Sequence, residues 1–161
     1  MLYGFGPVID KNTTRLVVGT MPSAASLAAA RYYGHPMNKF WPIVFEVFAG
    51  TLPPADYDER LRFILLNRVG LWDSLKSCER EGSLDKDIRS ETPNDFRLLL
   101  SGHGKVKRLL FNGHKAGQYF MRYIGKIDGI EYTVLPSTSP ANASVDYGTK
   151  LKRWREAFLL P

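Results

Sequence analysis

Short runs of apolar residues recur along the chain, and four of them have the length and composition of buried strands. The first is "RLVVGT", from Arg15 to Thr20, which is bounded by Gly19 and Pro22. The other three are "VGLWDSL" from Val69 to Leu75, "VKRLLFN" from Val106 to Asn112, and "IEYTVLP" at 130–136. These runs predict four strands, and the third has the clearest pattern.

The segments between these runs favour helices. From Asp56 to Asn67, Leu61 and Ile64 recur at helical spacing and acidic residues occupy the first turn. Pro42 suits the first turn of a shorter helix that ends near Phe48. Three more helices are predicted over residues 90–104, from His114 to Ile124, and from about Tyr147 to Leu159. About eighteen residues after the first strand are predicted as loop, and loops of this length in compact domains are more often functional than not.

Strands that alternate with helices predict an α/β fold in which a central, four-stranded, mostly parallel sheet lies between two layers of helices. Ligands of such three-layer α/β/α domains collect at the carboxyl ends of the strands. Here the four predicted strand ends carry small residues, hydroxyls, amides and one carboxylate, in "GTMPSAAS", "LWDSL", "FNGH" and "PSTSPANAS". Each of these segments alone is also what ordinary turns are made of. Four of them at one edge favour a site.

Composition narrows the class of protein. The 161 residues, 44 % of them hydrophobic, suffice for one domain over residues 1–161 with a proper core. Nothing approaches the apolar length of a membrane span or the pattern of a secretory signal, and Cys78 is the only cysteine. We therefore expect a cytoplasmic monomer without a membrane segment. The net charge of +6 suits a polyanionic partner, and no motif for a metal or a cofactor is present.

Three segments together resemble one known family. "VVGTMPSAASLAAARYYGHPMNKFW", "LLFNGHKA" and "LPSTSPANA" are similar to the uracil-DNA glycosylase superfamily, and most of all to its hypoxanthine (deoxyinosine) DNA glycosylase branch. The resemblance runs from about Leu16 to the final helix. It implies a monofunctional base-excision repair enzyme that flips a deaminated base out of DNA and hydrolyses its N-glycosidic bond. DNA containing deaminated bases would be its partner.

The resemblance assigns roles to residues of the aromatic segment "YYGHPMNKFW". Asn38, in "HP-x-N", would be the catalytic amide that orients water towards the sugar carbon. Its alternative role is to cap the helix predicted near Pro42, although four residues is long for a cap. Tyr33, two positions before "HP", would stack on the flipped base, and its alternative is a tyrosine of the core.

The resemblance also assigns contacts to other loops. Thr20 stands where many relatives carry the Asp or Asn that grips water, and we place it among the base-binding residues. The loop after the last strand lacks the His that usually stabilises the departing base. Its hydroxyls are predicted to hold DNA phosphate. The predicted DNA contacts are Ser23, Ser137, Ser139 and Ala141.

Asp73 aligns with a base-reading Asn of the superfamily. A carboxylate accepts hydrogen bonds and donates none, so it would favour the N1–H of hypoxanthine over the bare N1 of adenine. The alternative is a strand-end Asp paired with a Lys or Arg. Asn112 would add further contacts to the base edge, or serve as a turn residue before Gly113.

Two other functions stay open at this point. In the first, the chain is a DNA glycosylase that prefers uracil. In the second, it is a nucleic-acid binder that has lost catalysis, which Thr20 and the missing His suggest. The basic groups Lys105 to Arg108 and Lys150 to Arg155 would track the DNA backbone if they lie at the same edge as the four loops. The amine of Lys39 suggests a less favoured alternative, in which it forms a Schiff base with the sugar and the DNA strand is cleaved.

Overall fold

The structure is a computed structural model that describes residues 1–161. Its strands are β1 (Leu2–Tyr3), β2 (Arg15–Gly19), β3 (Val69–Asp73), β4 (Leu75–Glu79), β5 (Arg89–Pro93), β6 (Arg108–Asn112) and β7 (Glu131–Leu135). Its α-helices are α1 (Ala24–Ala29), α2 (Phe40–Ala49), α3 (Tyr57–Leu66), α4 (Phe96–Ser101), α5 (His114–Tyr123) and α6 (Tyr147–Leu159). One 3₁₀ turn covers Asp85–Asp87.

The central sheet has four parallel strands in the order β3-β2-β6-β7. Side chains alternate between its two faces. Val17 and Leu110 pack on one side with residues of α2, α3 and α6, whereas Leu16 and Phe111 pack on the other with residues of α4 and α5. The predicted three-layer α/β/α fold is therefore confirmed, and the sheet is wholly parallel.

A second, antiparallel sheet was not expected from the sequence. Its order is β1-β4-β5, and it begins where the predicted strand from Val69 to Leu75 divides. That strand ends at Asp73 and a new one starts at Leu75. Between them, the buried hydroxyl of Ser74 donates to the Ala116 carbonyl of α5. The divided strand leaves Asp73 next to a bend of the chain at Ser74.

The helix predicted over residues 90–104 is wrong in its first part. Residues 89–93 form β5, which pairs with β4, and α4 starts only at Phe96 after the cap Asp95. Pro93 disfavours helix at the residue before it, so the chain stays extended there. The long loop after β2 also contains a short helix, α1, whose first turn is capped by the Ser23 hydroxyl.

The helix predicted from Pro42 begins two residues earlier, at Phe40, and Pro42 lies in its first turn. No helix of the structure combines the length and the apolar character that crossing a membrane requires.

Candidate active site

A cavity of about 610 Å³ opens at the carboxyl edge of the central sheet. All nine residues that the sequence nominated line it: Thr20, Ser23, Tyr33, Asn38, Asp73, Asn112, Ser137, Ser139 and Ala141. The parallel strands explain this convergence, since Gly19 of β2 is in register with Asp73 of β3 at the ends of both strands. Thr20 follows directly. The structure thus brings the predicted residues together at one site.

Asp73 is the most unusual ionisable group of the cavity. It is 4 % exposed, and its Oδ2 has no hydrogen-bond partner. Burial, helped by the negative charge of Asp85, raises the pKa of its carboxyl to about 7, against the opposing effect of Arg80. No Lys or Arg nitrogen lies within 4.0 Å of it, so the alternative of a strand-end ion pair is wrong. Its unpaired oxygen is free for a ligand.

Gly19 makes room for this carboxylate. A Cβ atom added at Gly19 would overlap Oδ1 of Asp73 and would lie 3.3 Å from the Tyr33 hydroxyl. Any side chain at this position would therefore displace the carboxylate. The absence of a Cβ here lets the polar ends of Asp73 and Tyr33 reach the same point of the cavity.

Tyr33 lies on the cavity wall in a strained backbone conformation, with φ of 54°. Its ring stacks on Phe40, with centroids 4.1 Å apart and an angle of 29° between the planes. Its hydroxyl is buried without a hydrogen-bond partner at normal distance, and burial followed by the charge of Asp73 raises its pKa against the opposing effect of the nearby Asn112 side chain. Since Phe40 covers one face of the ring, only the opposite face is left for a stacked base.

Asn38 is held by a tight turn in front of α2. Its N–H donates to the His35 carbonyl over 3.0 Å, and its Oδ1 accepts from the Phe40 N–H over 2.9 Å. The capping interaction is therefore present, although from one residue before the formal cap position at Lys39. The Nδ2 group has no partner in the protein. The same amide thus anchors the helix start with one end and presents a free donor with the other.

Asn112 has both ends of its amide engaged. Nδ2 donates to Oγ1 of Thr138 and Oδ1 accepts from the Thr138 N–H, each over 2.9 Å. Thr138 is fully buried, and its carbonyl accepts from the Lys39 N–H over 3.1 Å. These bonds tie the end of β6, the loop after β7 and the Asn38 turn into one unit. The main role of the Asn112 side chain is therefore that of a brace, which holds these three segments together.

The loop after β7 is held in shape by hydrogen bonds to its serine hydroxyls. The Ser137 hydroxyl accepts from the Ser139 N–H, and the Ser139 hydroxyl accepts from the Ala141 N–H, each over 3.2 Å. In these bonds the hydroxyl oxygens act as acceptors, so their hydrogens stay free to donate to a phosphate oxygen. Ser23 serves mainly as the cap of α1.

The structure adds residues that sequence reasoning missed. Asp85 of the 3₁₀ turn lines the cavity. Burial raises the pKa of the Asp85 carboxyl, and a hydrogen bond from the nearby Thr20 hydroxyl opposes that effect. Thr138 and His114 also line it. Thr138 had a usable signal, because it stands between the two nominated serines. Asp85 had none, since it belongs to the unpredicted β4–β5 connection.

The basic groups divide between the two edges of the sheet. Arg108 starts β6 and pairs with Glu131 over 2.6 Å, so Lys105 to Arg108 lie at the amino edge, away from the cavity. Arg153 of α6 instead lines the cavity. The Lys39 ammonium lies 5.9 Å from the Tyr147 ring centroid and outside the cavity lining. Of the two groups, only the one in α6 lies at the edge expected for DNA.

The fold and cavity define an α/β/α domain with a polar pocket at the carboxyl edge of a parallel sheet. A family model described as the uracil DNA glycosylase superfamily matches residues 7–159, and the chain belongs to that family. The predicted family and fold are thus confirmed.

Relatives cover nearly the whole chain. A protein of Methanosarcina barkeri (strain Fusaro / DSM 804) named hypoxanthine DNA glycosylase is 38 % identical over 155 residues, 96 % of both chains. One of Methanosarcina acetivorans with the same name is 42 % identical over 139 residues, 86 % of this chain and 87 % of its own. A solution NMR structure of a candidate uracil DNA glycosylase from Methanosarcina acetivorans superposes with a TM-score of 0.82 at 38 % identity, covering 97 % of this chain and 95 % of the other.

Proposed function

We propose that this protein is a monofunctional DNA glycosylase that releases hypoxanthine from deoxyinosine in DNA. The observation that carries the proposal is the buried, unpaired Oδ2 of Asp73 at the wall of the cavity that also holds Tyr33 and Asn38. A buried polar atom without a partner is costly, so a cavity wall that keeps one is built for a ligand that pairs with it. The relatives named hypoxanthine DNA glycosylase support this substrate.

The geometry suits a flipped base. The ring of Tyr33, backed by Phe40, offers one flat face on which a base can stack. Asp73 faces the hydrogen-bonding edge. When ionised, its carboxylate accepts the N1–H of hypoxanthine and repels the N1 lone pair of adenine. The same logic admits the N3–H of uracil, which is the reason that uracil is the alternative substrate.

Hydrolysis then proceeds without a covalent enzyme intermediate. Asn38 positions a water molecule through the second lone pair of Oδ1, while its free Nδ2 group donates to the substrate. The water oxygen bonds to C1′ of the sugar as the C1′–N9 bond breaks. The bonding electrons leave with the base, the water gives up a proton, and the base takes up a proton. The products are free hypoxanthine and an abasic site.

We further propose that residues 1–161 form one glycosylase domain, which acts as a cytoplasmic monomer on DNA without a metal or cofactor. Thr20, Ser23, Asn112, Ser137, Ser139 and Ala141 keep their proposed contacts to base or DNA, with Asn112 acting chiefly through the brace to Thr138.

Base release from defined duplexes tests the proposal. Duplexes with one deoxyinosine, deoxyuridine or deoxyxanthosine are incubated with excess enzyme, and alkali cleavage of the product is followed on a gel. We expect fastest release from deoxyinosine. Release from deoxyuridine alone would establish the uracil alternative, and binding to all three without release would establish an inactive binder.

A further inference from the structure

The outer side of α5 carries two tyrosines with parallel rings. Tyr119 and Tyr123 are one helical turn apart, their ring planes differ by only 3°, and their centroids are 6.5 Å apart. Tyr119 is half-buried and packs against the small apolar cluster that contains Cys78 and Ile88. Tyr123 is 42 % exposed. Part of a flat aromatic surface therefore remains open to solvent.

Arg122 adds a positive charge to this surface. Its guanidinium carbon lies 5.8 Å from the ring centroid of Tyr119 and 6.0 Å from that of Tyr123, which is the range of cation–π attraction. The Arg122 side chain is itself 66 % exposed. We call these three residues, Tyr119, Arg122 and Tyr123, the tyrosine platform.

Glu91 of β5 holds the platform in place. Its Oε1 accepts a hydrogen bond from the Tyr123 hydroxyl over 3.0 Å and lies 3.6 Å from Nη1 of Arg122. These contacts order two of the three side chains before a ligand binds, which lowers the entropy cost of binding. They also occupy the polar end of Tyr123, so the face of its ring is what remains for a ligand.

The platform lies on the same side of α5 as one wall of the cavity. Lys115 lines the cavity, and Tyr119 and Tyr123 follow it at intervals of four residues. Residues at this spacing are neighbours on a helix surface, and each step along the axis is about 6 Å. A strand that leaves the cavity along this side of α5 meets the two rings in turn. Exposed aromatic rings combined with arginine and lysine are typical of surfaces that bind single-stranded nucleic acids.

We propose that the tyrosine platform stacks an unpaired base of single-stranded DNA. The inference rests on the proposed glycosylase function, because it takes the ligand to be DNA. In a duplex, the neighbouring base pairs cover both faces of each base, so the platform engages DNA only where the strand is unpaired. It therefore strengthens the binding of single strands and takes no part in the chemistry of the cavity.

Removal of one base at a time tests this site. Single-stranded oligonucleotides contain 2′-fluoro-2′-deoxyinosine, whose fluorine opposes positive charge on the sugar and so keeps the base attached. A tetrahydrofuran residue, which lacks a base but keeps its phosphates, replaces one neighbouring nucleotide at a time. Fluorescence anisotropy gives the affinity of wild type and of Tyr123→Ala for each strand, as a chemical double-mutant cycle.

We expect one position at which loss of the base weakens wild-type binding by about tenfold but leaves Tyr123→Ala unchanged. Equal losses for both proteins at every position would overturn the proposal. Tyr123→Phe keeps the ring and should keep the wild-type pattern. Met121→Ala removes an exposed apolar side chain of the same helix outside the platform, and should also bind like wild type.

Two further measurements separate the platform from other effects. Circular dichroism melting checks that Tyr123→Ala folds, and a variant that fails to fold is replaced by Tyr123→Leu, for which the same loss of coupling is expected. Base release from a deoxyinosine duplex is scored separately and should be unchanged in Tyr123→Ala. A glycosylase without coupling at any position sinks only the platform, and coupling without base release sinks only the proposed function.

Discussion

The two strand ends that flank the cavity carry side chains of similar size, but one of them has all its hydrogen bonds and the other does not. At the end of β6, both polar atoms of the Asn112 amide are bonded to Thr138. At the end of β3, Oδ2 of Asp73 has no partner although this residue is also buried. A satisfied polar group adds rigidity to the scaffold, whereas an unsatisfied one costs stability until a ligand pairs with it. The comparison separates residues that build the pocket from residues that read its contents.

Asn38 combines both states, and replacing it should produce the largest effect on activity. Asn38→Ala removes the free Nδ2 donor and the acceptor that holds water, so we expect base release to fall on the order of a hundredfold or more. DNA affinity should change little. Single-turnover rates on a deoxyinosine duplex measure the effect.

Asn38→Asp is the matched control for this prediction. It keeps an oxygen to cap α2 but loses the donor, so its thermal stability should match wild type while its rate stays low. A near wild-type rate for Asn38→Ala would remove this residue from the mechanism.

Asn112 should show the scaffold side of the comparison. Asn112→Ala leaves the Thr138 N–H and hydroxyl buried without partners, which should cost about 2–3 kcal/mol of unfolding free energy. Urea denaturation measures it. Thr138→Val, which strands a single donor, should cost less. A loss of activity in Asn112→Ala with no loss of stability would instead make Asn112 a reader of the base.

Replacing Asp73 should raise the free energy of unfolding, whereas replacing Asn112 should lower it. Its folded-state pKa of about 7 lies above the ordinary 3.8, so the wild-type protein loses stability as pH rises through that window. Asp73→Asn carries no charge to bury and should be more stable than wild type by roughly 1–2 kcal/mol at pH 8, since the amide still leaves an unpaired group. The difference should shrink towards pH 4. A constant difference across this range would show that Asp73 does not titrate there.

Tyr33 should give the smallest effect. Tyr33→Phe keeps the ring that stacks and removes only the unpaired hydroxyl, so we expect base release within about twofold of wild type. Tyr33→Ala serves as the control, and should lose roughly 1–3 kcal/mol of base-dependent binding. If both variants are equally impaired, the hydroxyl itself contacts the base or holds the loop.

Much of this contrast was visible in the sequence. Buried strands such as that around Val17 carry continuous apolar runs, and parallel pairing places their ends at one edge. That is why Asp73, Asn112 and the serine loop could be nominated together. The state of each side chain could not be predicted, because Asn112 and Thr138 are 26 residues apart and their bonds depend on how two loops meet. The short strands β4 and β5 were missed because their pairing outweighs weak local patterns.

The roles within the aromatic segment needed both sources. The resemblance singled out Asn38, and the spacing to Pro42 argued against a cap. The structure shows the cap, because α2 starts at Phe40 and not at Pro42. An amide has two ends, so capping and catalysis do not exclude each other.

The central claim is that Asp73 reads the base edge, and the pH dependence of base discrimination tests it most directly. 9-Methylhypoxanthine and 9-methyladenine compete with a deoxyinosine duplex for wild type and Asp73→Asn, at pH 6 and pH 8.5. A protonated carboxyl donates and accepts, and so pairs with either base, whereas the ionised form accepts only. The ratio of inhibition constants in favour of hypoxanthine should therefore rise about tenfold with pH for wild type, the worth of one charge-assisted hydrogen bond. For Asp73→Asn it should stay low and constant. The same ratio for both proteins at both pH values would mean that Asp73 does not face the base.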